Sequence, residues 1–484
     1  MSPIRIALFA AVVTAAFAVA APAQAQTTVT QISSDPFAPN SRPTAAHATE
    51  VEPDTFAFGS TVVATFQTGR VFNGGSSDIG WATSVNDGVT WTDGFLPATT
   101  PASAPTGPFF SVSDPSVAFD ARHGVWLISW LGAHFSGGGV VDVMTSRSTD
   151  GGLTWSNPVV IAANGVFYDK NWSVCDNTPT SRFFGNCYTE FDNASSRDLE
   201  QMSTSTDGGL TWGPPLATAD TIHGLGGQPV VQPNGRVVVP FEGINHGQGI
   251  RAFTSDDGGL SWNRSVRIST VASHDVPGLR TSPLPSAEIN AAGVVYVVWQ
   301  DNRFEPGGKA NDIVLSSSAD GTTWSPLSRI PIDPVGSNID HFIPGLGVDR
   351  TTSGASTALA LTYYFQKPAG CVGLSCTIQV GFVSSLNNGQ TWSSPQTLSD
   401  PMQLGWIAPT SQGAMVGDYI STSFVAPGHA VGVFAIGFPM NGSLFNEPMF
   451  AGQETVSGGS AGAGSAAVLF SGVNSNLAAP ATTF

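Results

Sequence analysis

Apolar and polar residues alternate in short runs along most of the chain, and these runs predict β-strands rather than helices. Each Val-, Ile- or Trp-rich run is bounded by Gly, Pro, Asp or Asn, and four runs recur around each copy of one repeated turn. In the second repeat the runs are Asp114–Asp120, Gly124–Leu131, Val140–Ser146 and Asn157–Ala162. In the fifth they are Ser286–Asn290, Val294–Trp299, Asp312–Ser316 and Leu327–Pro331. The pattern therefore predicts an all-β protein of four-stranded antiparallel units.

The repeated turn is an octapeptide that begins with Ser and ends with Trp. Its six copies are Ser84–Trp91, Ser148–Trp155, Ser205–Trp212, Ser255–Trp262, Ser317–Trp324 and Ser385–Trp392. The third position is Asp in the middle three copies, Asn in the first and last, and Ala319 in the fifth. Asp or Asn close to Gly favours a tight hairpin turn, and the Trp is placed to pack its ring beneath that turn.

The spacing of the octapeptides predicts one large repeat architecture rather than several domains. Successive Trp residues are 64, 57, 50, 62 and 68 residues apart. A seventh unit without the octapeptide follows in Gly417–Phe424, Ala430–Gly437 and Glu447–Gly452, and Thr27–Ser33 reads as an outer strand that completes it. We therefore expect a β-propeller of seven four-stranded blades, closed by the N-terminal strand. Six blades is the alternative, with the last unit acting as a cap.

The octapeptide resembles the Asp-box, or BNR repeat, of the sialidase superfamily, Ser-x-Asp-x-Gly-x-x-Trp. The resemblance implies that residues 26–454 form a sialidase-like β-propeller in which the boxes are structural and lie away from the pocket. It also implies exo-α-sialidase-like glycoside hydrolase activity. The family's site would contain three Arg residues that hold the sugar carboxylate, a Tyr–Glu nucleophilic pair and an Asp acid.

The ends of the chain differ in composition from the repeats. Residues 1–25 predict a signal peptide, with an apolar run from Ile6 to Ala21 and Ala23-Gln24-Ala25 before the cut, so we expect a secreted protein. Residues 455–484 are rich in Gly, Ser and Ala and predict a flexible tail. Proximity favours the disulfides Cys175–Cys187 and Cys371–Cys376, with free thiols as the alternative in this exported chain.

Charge and His content limit the partners. Only 3 of 18 basic residues are Lys and the net charge is −17, so we expect no nucleic-acid partner. No apolar run after the signal peptide is long enough for a membrane span. The eight His residues have no spacing typical of zinc, no motif supports a cofactor, and calcium bound by loop carboxylates stays an open alternative. We expect a monomer whose partner is a glycan or polysaccharide.

Candidate chemistry lies at the starts of the first strands, which converge on the axis of a propeller. The polar residues there are Glu52, Asp54, Asp114, Asp169, Lys170, Arg280, Asp340, His341, Asp418 and Tyr419. The resemblance implies Tyr419 as nucleophile, Glu242 or Glu288 as its partner, and Asp54 or Asp114 as acid. Arg280, Arg303, Arg251, His341 and Asp418 are the candidates for substrate binding, and Arg350 is a further basic side chain available to that set.

Two features depart from the family. Its first Arg lies in an aromatic-Arg-Ile/Leu-Pro motif, whose nearest match here is Ser41-Arg42-Pro43. Seven blades would be the second departure, because the catalytic sialidases have six. Our leading hypothesis is an exo-glycosidase that releases terminal, acidic sugars from extracellular glycans. The alternatives are a non-catalytic propeller that binds a glycan or a protein, and a polysaccharide lyase that uses His341 and Tyr419.

Overall fold

Antiparallel strands form nearly all the regular structure of this chain. The computed structural model describes residues 28–37, 45–136, 139–244 and 249–459. The predicted signal peptide, Arg42 and residues 460–484 of the predicted tail lie outside these ranges. Within them the helices are short 3₁₀ turns, at Ala194–Ser196, Pro306–Gly308, Gly354–Ser356 and Leu404–Trp406. No helix of the described part is long and apolar enough to cross a membrane.

The described strands group into seven four-stranded units, numbered here in chain order. β1 (Thr28–Gln31) comes first. Unit 1 contains β2 (Ala45–Phe58), β3 (Thr61–Val71), β4 (Ser76–Ser84) and β5 (Thr92–Phe95). Unit 2 contains β6 (Ser111–Asp120), β7 (Val125–Ala133), β8 (Val141–Ser148) and β9 (Val159–Ala162), and one bridge joins it to unit 1. Unit 3 contains β10 (Tyr168–Cys175), β11 (Cys187–Asn193), β12 (Leu199–Ser205) and β13 (Leu216–Ala217).

The later units keep this plan with small additions. Unit 4 contains β14 (Gly224–Leu225) and β15 (Val230–Val231), which share the first position, β16 (Val237–Gly243), β17 (Gly249–Ser255) and β18 (Val266–Ser269). Unit 5 contains β19 (Ser286–Ile289), β20 (Val295–Asp301), β21 (Asp312–Ser318) and β22 (Ser328–Arg329). Unit 6 contains β23 (Asp340–Val348), β24 (Leu359–Gln366), β25 (Thr377–Ser385) and β26 (Gln396–Thr397), with β27 (Met402–Gln403) beside β25.

The seventh unit combines the two ends of the described chain. β28 (Pro409–Thr410) and β29 (Gly413–Ala414) form a small hairpin before it. The unit contains β30 (Ser421–Ala426), β31 (His429–Ala435) and β32 (Met449–Thr455). β1 pairs with β32 as its fourth strand, with Val29 opposite Gly452. Beyond β32, Val456 is buried and its N–H donates to the Gly428 carbonyl.

The first strand of each unit contacts the first strand of the next. These contacts are β2–β6, β6–β10, β10–β15, β15–β19, β19–β23, β23–β30 and β30–β2. Apolar side chains fill the space between neighbouring units, as where Trp81 of unit 1 shares a buried cluster with Trp126 and Trp130 of unit 2. The contacts between first strands bring residues of units 1, 2 and 3 to the lining of one cavity.

Each octapeptide forms the turn between the third and fourth strands, and in five of the six copies its first Ser is the last residue of the third strand. In the second copy, Asp150 accepts hydrogen bonds from the N–H groups of Leu153 and Thr154 at 3.1 and 3.0 Å. Ser148 Oγ donates to Asp150 and accepts the Gly152 N–H. The turn is therefore closed by side chain to backbone bonds, as the Asp and Gly positions predict.

The fifth copy is shifted by one residue from the predicted register. Its third strand ends at Ser318, whose Oγ donates to Asp320 at 3.1 Å and accepts the Gly321 N–H at 2.8 Å. Asp320 accepts the N–H groups of Thr322 and Thr323. The alignment that placed Ser317 and Ala319 at these positions is therefore wrong, because the turn has one residue fewer between its Asp and its Gly.

Both predicted disulfides are present. Cys175–Cys187 joins directly opposed positions of β10 and β11, and Cys371–Cys376 closes a short surface loop. No cysteine of the described residues is free.

Candidate functional site

Three charged residues occupy equivalent irregular positions on the first strands of units 1, 2 and 3. The pairing of β2, β6 and β10 with their second strands shifts register at Glu52, Asp114 and Lys170. Each of the three has a left-handed backbone, with φ of 55°, 46° and 51°. Side chains other than Gly rarely adopt this conformation, and a bulge re-aims the side chain that it carries. The repeated bulge therefore turns all three charges towards the same centre.

The bulged residues line a cavity of about 230 Å³ at the starts of the first strands. Its other polar lining includes Gln67 and Arg70 from β3, together with Arg280 from the loop before β19. Phe167 and Tyr168 contribute apolar and aromatic surface. The cavity thus combines acidic, basic and aromatic groups, which is the composition of many small-ligand sites.

Asp418, in the loop before β30, pairs with two cations of this cavity. Both Lys170 Nζ and Arg280 Nη2 donate to its Oδ2. Burial opposes ionisation, but the charges of Lys170 and Arg280 lower the pKa of Asp418 to about 2. Lys170 is also 3.3 Å from Asp114 Oδ2 and 3.6 Å from Glu52 Oε1. Despite burial, the surrounding carboxylates, Asp114 first, hold the pKa of Lys170 well above its usual value, so it stays charged.

Glu52 and Asp114 differ in their surroundings, although both face Lys170. Burial, and then the charge of Asp114, raises the pKa of Glu52 well above its ordinary value. Gln67 donates to Glu52 Oε2, and Ser113 donates to Asp114 Oδ1. Burial and the charge of Asp114 also raise the pKa of Asp169 to about 6. The site therefore places carboxyl groups of raised pKa close to Asp114, and a carboxyl group with a raised pKa is suited to act as a proton donor.

Tyr419 lies beside the cavity rather than in its lining. Its hydroxyl donates to the Pro115 carbonyl at 3.2 Å, and its ring packs edge-on against Trp172 at 5.0 Å. Burial, followed by the charges of Glu52 and Asp114, raises the pKa of Tyr419 well above its ordinary value. The hydroxyl is therefore protonated and engaged in this structure.

Three other candidates make contacts that fix local structure. Asp54 accepts the N–H groups of Thr55 and Val117, which ties unit 1 to unit 2, and burial raises its pKa to about 7. Arg303 pairs with Asp301 through two nitrogens at 2.8 and 2.7 Å. Arg251 donates to Ser265 Oγ at 3.2 and 3.0 Å.

Glu242 and His341 lie in other surroundings. Glu242 is near the end of β16, and burial, with the charge of Asp275, raises its pKa to about 7. It is absent from the lining of the cavity that holds Glu52, Asp114 and Lys170. His341 is buried, with Nδ1 at 3.3 Å from the Asn311 carbonyl oxygen. The predicted residues that the structure brings together, with Tyr419 beside them, are Glu52, Asp114, Asp169, Lys170, Arg280 and Asp418.

The remaining candidate pair faces a second cavity. Glu288 accepts from Arg350 Nη2 at 3.0 Å, and the Arg350 guanidinium lies over the Phe56 ring at 4.6 Å. They line a cavity of about 480 Å³ that is formed by the far ends of the first strands. Glu288 is therefore absent from the lining of the cavity that holds Glu52, Asp114 and Lys170.

Sequence reasoning missed Gln67 and Arg70 because it considered only the first strand of each unit. Arg70 is 2% exposed, and its Nη2 donates to the Ala408 carbonyl. The available signal is that Arg70 is the one charged residue in Thr61–Val71. The structure also brings Asp312, Asp333 and His341 together, with one potential metal-ligand atom from each within 4.8 Å of the others.

Comparison with known proteins identifies the repeats. Residues 124–345 match a family described as BNR repeat-like domain. The resemblance of the octapeptides to the BNR repeat is therefore confirmed for residues 124–345. No curated protein matches the chain.

Several solved structures are similar in outline at low identity. A Dyadobacter fermentans protein of unknown function is 14% identical, with a TM-score of 0.47, and the match covers 84% of this chain and 95% of that one. A Hadza microbial sialidase is 18% identical, with a TM-score of 0.46 and coverage of 69% and 65%. Trypanosoma rangeli sialidase is 13% identical, with a TM-score of 0.44 and coverage of 66% and 52%. The match thus spans 65% and 52% of the two sialidases.

Proposed function

We propose that this chain is an exported carbohydrate-active protein whose central cavity binds a glycan and releases a terminal, acidic sugar. The observation that carries the proposal is the convergence of Glu52, Asp114 and Lys170 on three equivalent bulges. The cyclic contacts of the first strands favour a seven-bladed closed propeller, which would put this cavity on its axis. The two disulfides favour an oxidising compartment.

The charges of the cavity suit hydrolysis of a glycosidic bond. Burial raises the pKa of Glu52, which favours its protonated form, and Glu52 is assigned as the acid that protonates the leaving oxygen. Asp114 is assigned as the second carboxylate, which acts on the sugar or on a water molecule. Arg280 is the most exposed of the three cations in this cavity and is assigned to the substrate's carboxylate, which a guanidinium binds through two hydrogen bonds. Tyr419 positions Pro115 through its hydroxyl, and Asp418 positions Lys170 and Arg280. No part in the reaction is proposed for Glu242, Arg251, Arg303 or His341.

The test is sugar release from sialylated and uronic-acid glycans by the purified mature protein, measured by mass spectrometry. Glu52→Gln and Asp114→Asn should each lower kcat/KM by about 100-fold or more. Arg280→Gln should raise KM for acidic glycans more than for neutral ones. Asp256→Asn is the control, because the Asp256 side chain is about half exposed to solvent. This variant should retain wild-type turnover. Wild-type rates in both carboxyl variants would overturn the assignment.

A non-catalytic glycan-binding propeller is the second candidate. It is favoured by the internal pairing of the cavity's charges and by the Tyr419 hydroxyl, which the Pro115 carbonyl already engages. Retained glycan binding on an array without sugar release would establish this function. A lyase would require His341 beside Tyr419. His341 contacts Asn311 and Tyr363, whereas Tyr419 contacts Pro115 and Trp172, so we do not propose this activity.

A further inference from the structure

We propose that Asp312, Asp333 and His341 form a binding site for one divalent transition-metal ion, such as Zn²⁺ or Mn²⁺. One carboxylate oxygen of each Asp and one ring nitrogen of His341 lie within 4.8 Å of one another. Asp312 opens β21, Asp333 lies in the connection from unit 5 to unit 6, and His341 lies in β23. Two carboxylates and an imidazole form a donor set that these ions accept.

Arg329 orients the two carboxylates by binding one oxygen of each. Its Nε is 2.7 Å from Asp312 Oδ1, and its Nη2 is 2.6 Å from Asp333 Oδ1. The Oδ2 atom of each Asp is not used in these two pairs with Arg329. Asp312 Oδ2 is buried and has no hydrogen-bond partner, while Asp333 Oδ2 accepts from Ser337 and lies 4.0 Å from His341 Nε2. Outer partners of this kind fix the ligands in known metal sites. An unpartnered buried carboxylate oxygen points to a missing cation.

His341 is held in the form that a metal ion requires. Its Nδ1 is 3.3 Å from the Asn311 carbonyl oxygen, so a proton on Nδ1 donates to that carbonyl and leaves the Nε2 lone pair free. The ring packs against Tyr363 with centroids 5.5 Å apart, which fixes its direction.

The charge of the cluster matches a divalent ion. Glu305 Oε1 lies 3.9 Å from Arg329 Nη2, so three carboxylates surround one guanidinium. When the three carboxylates and the guanidinium are all ionised, the cluster has a net charge of −2. Metal–ligand bonds of about 2.0–2.2 Å in a tetrahedral site would place neighbouring ligand atoms about 3.4 Å apart. The 4.0 Å separation of His341 Nε2 and Asp333 Oδ2 therefore requires only a small side-chain movement.

The ion would fasten the connection between units 5 and 6 to the first strand of unit 6. Its three ligands come from two strands and the segment between them, so binding stabilises their folded arrangement. This role is separate from the glycan site and does not depend on the proposed function.

The experiment uses the tag-free mature protein, stripped with a chelator and exchanged into metal-free buffer. ZnCl₂ and MnCl₂ are titrated by calorimetry, bound metal is counted by mass spectrometry, and melting is measured with and without each ion. We expect one ion per chain and a raised melting temperature. His341→Gln and Asp333→Asn should weaken binding by about 100-fold or more. His134→Gln is the control, because it removes another His–Asp pair, 2.7 Å from Asp142, and should bind like the wild type.

Two results would overturn the proposal. One is a wild-type protein that binds no more than a trace of either ion. The other is stoichiometric binding that both ligand variants retain. Should His341→Gln fail to fold, Asp333→Asn decides alone, because Asp333 lies in a loop and is only partly buried.

Discussion

Lys170 is the residue on which the charged cavity depends. Its ammonium group is buried among Glu52, Asp114 and Asp418, which come from units 1, 2 and 7. A buried Lys without such partners would lose its proton, because burial disfavours the charged form. Asp418 in turn accepts from both Lys170 and Arg280 and is the one carboxylate of the group with two cationic donors. The position of each charge therefore depends on the others.

Replacing Asp418 by Asn should expose this dependence. We expect the free energy of unfolding to fall by about 2–4 kcal/mol, because two buried cations lose a shared carboxylate while Lys170 keeps Asp114 and Glu52. Chemical denaturation at pH 7 measures the change. The matched control is Asp256→Asn, which removes a surface ion pair with Arg236 and should cost less than about 1 kcal/mol. Equal effects of the two substitutions would contradict a cooperative cluster.

At the scale of elements, the Asp-box turn is defined by hydrogen bonds rather than by position in an alignment. The last residue of the third strand supplies the Ser hydroxyl, and the Asp two residues later closes the turn. The fifth copy satisfies both conditions with Ser318 and Asp320. The turn tolerates a lost residue because the Asp side chain reaches the following N–H groups from either spacing.

Two neighbouring serines of this fifth turn allow a direct test. Ser318→Ala removes the acceptor of the Gly321 N–H and should lower stability by about 1 kcal/mol. Ser317→Ala should change it by less than about 0.5 kcal/mol, because the Ser317 hydroxyl has only a 3.5 Å contact with Ser325. Thermal and denaturant unfolding of the two variants gives the comparison. A larger loss for Ser317→Ala would restore the original alignment.

At the scale of the whole molecule, many carboxyl groups are buried without a cation. Burial raises the pKa of Asp78 and Glu200 to about 7, and it raises that of Glu447 to about 8 even though the charge of Arg70 opposes the shift. Each group binds a proton more tightly in the folded than in the unfolded chain. The contribution of each group to the free energy of unfolding is therefore fully present below its pKa in the unfolded chain, about 4. It is lost as the pH rises through the pKa in the folded chain, about 7 to 8.

We accordingly expect the melting temperature to fall by several degrees between pH 5 and pH 8. Asp418 acts in the opposite direction, because its lowered pKa makes its contribution fade only as the pH falls below about 4 towards 2. Asp78→Asn should flatten the decline between pH 4 and pH 7, since Asn does not titrate. Calorimetric scans of both proteins across this range test the sign. A melting temperature that rises from pH 5 to pH 8 would contradict it.

The sequence alone determined the strand order of the units, the turns between third and fourth strands and both disulfides. These features depend on short-range chemistry, because Asp, Gly and Trp act within one turn and each Cys pair is separated by 12 residues or fewer. The sequence did not predict the register of the fifth copy, because the spacing of residues does not show which Ser hydroxyl accepts which backbone N–H.

Only the tertiary structure decided which charges share a cavity. Lys170 and Asp418 are 248 residues apart. Arg70 comes from the second strand of unit 1, whereas the sequence prediction took its candidates from the first strands. The bulges that re-aim Glu52, Asp114 and Lys170 depend on register shifts between paired strands, which composition does not specify. The same holds for Asp312, Asp333 and His341, whose irregular spacing gives no metal motif until folding joins units 5 and 6.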